Sequence, residues 1–236
     1  MLIKSDFKLF LPIVCLLALA ELLDLNLATL VGGLDQQYPL ISAFVKFALL
    51  GTLGEVLGLR LSTGGYPLEK FGLIPKAITW GIMGVAIKIV FVIFASGVPA
   101  LLVKYGIDDA TSLLSGSVSA GKLIVAFSIS VAMNVIFSPL LMTLHKITDL
   151  HIQQYQGSAL SLIRPISVGR ILNQIDWQQM WSFVFKKTIP FFWIPAHTLT
   201  FLLPPEHRVL FAALLGVMLG IILVLPGRGQ PSLARA

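Results

Sequence analysis

Long apolar runs alternate with short polar breaks along this chain. Six runs stand out, at 9–30, 40–60, 76–102, 123–144, 188–203 and 207–225. A helix that crosses a bilayer needs about 20 mainly apolar residues. The runs therefore predict an all-α fold, a polytopic transmembrane helical bundle of about six spans, with residues 1–236 forming one domain. The last two runs are short and meet at Pro204-Pro205, so they are either two tight spans or one broken re-entrant element. The breaks carry turn chemistry, as in Ser62-Thr63-Gly64-Gly65-Tyr66-Pro67. The longest polar stretch, 145–186, is too short to be an independent catalytic domain and is expected as a cytoplasmic loop.

Composition strengthens this reading. The chain is 56% hydrophobic and 12% charged, whereas soluble domains carry about 25% charged residues. The formal net charge is +6. Its basic residues sit at the ends of apolar runs and form no stripe, which argues against a nucleic-acid partner. They read as topology determinants. With six spans and the N-terminus in the cytoplasm, Lys4, Lys8, Arg60, Lys70, Lys76, Lys146, Arg164, Arg170, Lys186, Lys187, Arg228 and Arg235 fall inside. Only Lys104, Lys122 and Arg208 fall outside, with Lys46 and Lys88 in the membrane. Both termini are thus expected in the cytoplasm, and the protein in a bacterial-type inner membrane. The one cysteine, Cys15, excludes a disulfide framework and a cysteine metal site. The first run leads into Glu21 and Asp24 with no small-x-small site, so a cleaved signal peptide is not expected.

Polar groups inside apolar runs are the functional candidates, because ionisable residues at that depth are costly. Glu55 follows Gly51 and Gly54 and precedes Gly58, and Gly54-x-x-x-Gly58 allows close helix approach. Lys88 lies seven residues after Gly81 and four after Gly84, on the same helical face. Glu55 is nearer the inner end of its run than Lys88, so a direct ion pair is disfavoured. Asn134 lies among Ser128, Ser130 and Ser138-Pro139, and His197 follows Pro195, where backbone carbonyls are free. Glu55, Lys88, Asn134 and His197 are the expected lining of a polar cavity, with Glu55 at its cytoplasmic mouth. The run His145-Lys146-Ile147-Thr148-Asp149-Leu150-His151 is a weak metal candidate, since His145 and Asp149 share a face and His151 does not. No metal or other cofactor is expected, and no catalytic residue is assigned.

These residues also carry a resemblance. Pro39 followed at a distance by Gly54-Glu55 resembles the proline and Gly-Asp of the peroxisomal and mitochondrial inner-membrane family of the Mpv/PMP type, with Glu in place of Asp. Gly84 matches a Gly-Pro pair whose proline is Val85 here, Lys88 sits at a histidine position, and Val90-Phe91 replace Trp-Tyr. Met133-Asn134 and Pro139 occupy the places of Asp-Gln and a proline. With Trp193 aligned, His197 falls at a glutamine and Thr200-Phe201 at Asn-Phe, and Pro204 and Arg208 keep the final spacing one residue early. The resemblance spans 39–225 and implies a small integral membrane protein similar to a weakly selective pore for small solutes.

Three functions follow as expectations. The first is a channel or transporter for small anions or metabolites. The second is a structural scaffold whose glycine faces bind partners, a second copy of the chain included. The third is a lipid-modifying enzyme working through His145, Asp149 and His151. The lipid bilayer is the partner common to all three.

Overall fold

A computed structural model describes residues 27–222, and all regular structure among them is helical. The chain runs through α1 (Leu27–Gln37), α2 (Pro39–Thr63), α3 (Leu73–Lys104), α4 (Ala110–Ser115), α5 (Ala120–Ile136) and α6 (Ser138–Gln154). A 3₁₀ turn (Ala159–Leu162), α7 (Val168–Leu172) and α8 (Trp177–Gln179) follow, then a π-helix (Met180–Trp193), α9 (Ile194–Leu202) and α10 (Pro205–Ile222). The first apolar run lies mostly outside the described residues, as do Glu21 and Asp24.

The helix ends follow local chemistry. Pro39 occupies the first turn of α2, where its missing N–H costs nothing. Gly64, in the left-handed region at φ 78°, ends that helix. Ser119 caps α5 by accepting a hydrogen bond from the Lys122 backbone N–H. The run at 123–144 forms two helices, bent by 44° around Phe137, with Pro139 in the first turn of the second. Its second half does not stop at His145-Lys146 but continues to Gln154.

Two helices, Pro39–Thr63 and Leu73–Lys104, are long and apolar enough to cross a membrane, and the bent pair α5–α6 makes a third if it is one span. The stretch 145–186 is folded rather than a plain loop. Ile147 and Leu150 of α6 pack with Ile171, Ile175 and Met180 in a small apolar cluster.

Glycines set how closely the long helices approach. A Cβ on Gly81 would meet the Phe44 ring at 2.5 Å, and one on Gly84 would meet Phe47 at 2.5 Å. The Gly81–Gly84 face of α3 is therefore the seam with α2. A Cβ on Gly54 would meet the backbone of Gly216 and Val217 on α10 at 3.0 Å. The close approach expected of Gly54-x-x-x-Gly58 is thus made by Gly54 towards α10, while Gly58 is half-buried. The main core joins these helices to α5 and α9 through Phe47, Met83, Ile129, Met133, Phe201 and Ala213.

Candidate functional site

A cavity of about 240 Å³ lies between α2, α3, α5, α6, the end of the π-helix, α9 and α10. Its walls are mainly apolar: Phe47, Met83, Phe91, Met133, Phe137 and Met142 among others. Two polar groupings border it, one around Glu55 and His145 and one around His197 and Trp193.

The first grouping is a buried charge cluster. Lys76, in the first turn of α3, is 8% exposed and donates to Glu55 Oε2 at 2.5 Å and to Asp149 Oδ1. Glu55 Oε1 accepts the Trp80 indole N–H at 2.6 Å and lies 3.1 Å from His145 Nε2. A carboxylate only accepts, so this contact assigns the proton of a neutral His145 to Nε2. The His145 ring lies 4.6 Å from that of Trp80. Helix spacing explains the assembly. Lys76 and Trp80 are one turn apart on α3, and His145 and Asp149 one turn apart on α6, so each helix offers a pair to Glu55.

The second grouping is a hydrogen-bonded chain across the bend. Asn134 Nδ2 donates to the Ser130 carbonyl at 2.8 Å, and Asn134 Oδ1 accepts from Ser138 Oγ at 2.8 Å. The same oxygen lies 3.1 Å from His197 Nδ1, which assigns the Nδ1 proton and leaves Nε2 for a ligand. Ser130 Oγ donates to the Ile194 carbonyl at 2.7 Å and ties α5 to the start of α9. Trp193 stacks on His197 at 5.1 Å, and Phe91 meets the same imidazole edge-on. Among the described residues, Trp193 Nε1 and Thr52 Oγ1 are the buried side-chain atoms that lack a hydrogen-bond partner.

The expected lining is therefore partly revised. Glu55 and His197 border the cavity, at its two polar groupings. Asn134 is fully buried and does not line it; it holds His197 from behind. Lys88 does not line it either. The cavity face of α3 is Trp80, Met83, Ile87 and Phe91, and Lys88 lies roughly a quarter turn away from it at 3.6 residues per turn. It is half-buried, with no polar partner among the described residues. The partner of Glu55 is Lys76, which the charge pattern assigns to a cytoplasmic loop. Its signal was Pro75, a first-turn proline that puts Lys76 inside the helix rather than before it. Lys46, which the charge pattern places in the membrane, is buried and paired with Asp35 of α1 at 2.5 Å.

The metal candidates are divided among different tasks. His145 serves Glu55, Asp149 serves Lys76, and His151 Nε2 lies 2.9 Å from the Ser161 carbonyl. No cluster of three or more potential metal ligands is present among the described residues.

The remaining motif positions are framework. Pro195 opens α9, and Phe201 is fully buried. Arg208 is buried beyond the Pro204 turn, where Nε donates to the Leu203 carbonyl at 3.0 Å and Nη2 to the Phe201 carbonyl at 3.2 Å. These carbonyls end α9 and lack helical donors, so the guanidinium caps the helix and fixes the turn into α10.

Compared with protein-family models, curated proteins and solved structures, the chain matches none.

Proposed function

We propose that this is a multi-pass membrane protein that takes a small solute with a largely apolar body into its central cavity and passes it across the bilayer. The observation that carries the reading is the cavity itself, about 240 Å³ and bordered by seven helices. An apolar cavity of about 150 Å³ is enough to hold benzene, so this one suits a somewhat larger molecule. Convergent polar groups in an apolar pocket are the usual form of a small-molecule site. Here they are Glu55, His145 and His197, with the unpartnered indole N–H of Trp193 beside them.

The membrane setting is supported by the outer surface. The most apolar 18-residue window of Leu73–Lys104 has mean hydropathy 2.3, yet only 17% of it is buried inside the protein. Ile82, Val92 and Ile93 are each more than half exposed. Water would penalise such a face, whereas lipid tails would not. The resemblance to the Mpv/PMP type, whose motif positions include Glu55 and His197, points the same way. The anion preference expected of a cationic lining is set aside, because Lys88 is off the cavity and Lys76 is matched by two carboxylates.

Reconstituted liposomes provide the test, with a panel of small organic cations, anions and polyols. Flux above that of empty vesicles is expected for at least one of them. Filling the cavity with Ala212→Phe should abolish that flux, and Lys88→Met should leave it unchanged. Flux equal to empty vesicles for the whole panel, or flux that survives Ala212→Phe, contradicts the proposal.

A further inference from the structure

We infer that the cavity is gated at its Glu55 end: Trp80 is the plug, and the ion cluster of Glu55, Lys76, Asp149 and His145 is the latch that holds it shut. The inference rests on the cavity reading above and concerns how water and solute reach that site.

Position leads to it. Glu55, Trp80 and His145 border the central cavity. The same three side chains line a shallow surface recess, together with Lys76, Thr148 and Asp149. They therefore form the partition between cavity and recess. The two polar ends of the cavity also differ in wetness. At the His197 end, Asn134 and Ser130 are fully buried. At the Glu55 end, the side chains of Glu55, Asp149 and His145 are 20–27% exposed, so water reaches the partition from the recess.

The plug is seated and tethered. A Cβ on Gly51 would meet the Trp80 ring at 2.5 Å, so the indole rests on α2 where no side chain stands in its way. Its N–H donates to Glu55 Oε1, and the His145 ring lies 4.6 Å from it. The latch joins three helices. Lys76 of α3 holds Glu55 of α2 through Oε2 and Asp149 of α6 through Oδ1, while His145 of α6 reaches Glu55 Oε1. Both Glu55 oxygens are thus occupied by the protein itself, as a closed latch requires. Lys76 is its central member. Without that ammonium two carboxylates from different helices are left beside each other, and a buried ion pair deprived of one partner is strongly destabilised. The gate opens when α3 and α6 draw apart far enough for the indole to leave its seat on Gly51.

The test is the accessibility of a cavity cysteine in the full-length protein. Cys15, the only native cysteine, is replaced by serine. Ala212→Cys then puts a thiol in the cavity wall, and Thr148→Cys puts one in the recess as the reference. The probe is trimethylammonium-ethyl methanethiosulfonate, whose fixed charge keeps it in water. With the gate intact, Ala212→Cys is expected to react more slowly than Thr148→Cys by about tenfold or more. Trp80→Ala removes the plug and Lys76→Met opens the latch, and each should raise the Ala212→Cys rate by about tenfold or more. Lys46→Met breaks a buried ion pair away from the cavity and should leave that rate unchanged. Equal rates at the two cysteines with the gate intact overturn the inference, even if neither gate variant folds. An unchanged rate in Trp80→Ala overturns the plug, and an unchanged rate in Lys76→Met overturns the latch. A rise in Lys46→Met as large as in Lys76→Met shows general loosening and overturns the latch as well. None of these readings uses the solute, so failure of the gate leaves the transport reading standing, and failure of the liposome panel leaves the gate standing.

Discussion

Arg208 shows how much a single side chain does here. Its guanidinium reaches two carbonyls at the end of α9 across the Pro204 turn and lies over the Phe201 ring at 5.5 Å. Hydrogen bonds from charged groups contribute about 1.5–3 kcal/mol each when their loss strands a buried partner. Arg208→Leu should therefore lower thermal stability in detergent by about 2–3 kcal/mol, with Arg208→Lys, which keeps the charge but not the two-pronged reach, in between. Stability of Arg208→Leu within error of the original would refute the cap. The sequence pointed to this arginine by spacing but not to its role, because the carbonyls it meets are exposed only once the proline turn is formed. His197 and Glu55 were legible for a simple reason: a polar group inside an apolar run has few places to go. Lys76 was not, since its charge at the edge of a run looks like a topology signal until Trp80 and Glu55 are seen beside it.

At the scale of helices, the glycines separate packing from mere permissiveness. Gly84 sits against Phe47 with no room for a side chain, whereas Gly97, on the same helix, has nothing within 4 Å of an added Cβ. Gly84→Leu should push α2 and α3 apart and cost about 1–3 kcal/mol or more, as overpacking does. Gly97→Ala should be neutral or stabilising by up to about 1 kcal/mol, from the lower backbone entropy of alanine. Parallel melting curves of the two variants check this, and equal effects would contradict the assigned seam. Helix existence was legible from the apolar runs, because length and hydropathy alone dictate it; α2 and α3 fall within a few residues of expectation. The bend at Phe137 was less so, since the proline that marks it lies inside a run that otherwise reads as continuous. The 14-residue π-helix was not legible. Pro190 and Pro195 announce disrupted hydrogen bonding there, but not that the ladder shifts to i→i+5 bonding, as from Ile194 N to Ile189 O.

At the scale of the molecule, the apolar residues divide between two surroundings. One set builds the core and cavity; the other, including Leu49, Ile82, Ile136 and Phe191, faces outward. The sequence alone could not divide them, because the long helices are apolar almost all round and periodicity then says little about which face is inside. The cavity was invisible for the same reason. Its lining is drawn from residues far apart in the chain, from Phe47 to Gly216, and only the packing of seven helices leaves space among them. The most direct measurement of the central claim is the position of a bromine label. Protein in lipid nanodiscs would be given 4-bromo-tert-butylbenzene and its structure determined. Bromine density inside the cavity, between Trp80 and Trp193 and absent in Ala212→Phe, is the result expected. Bromine only on the outer apolar surface, or a cavity closed by its own side chains, would contradict the account.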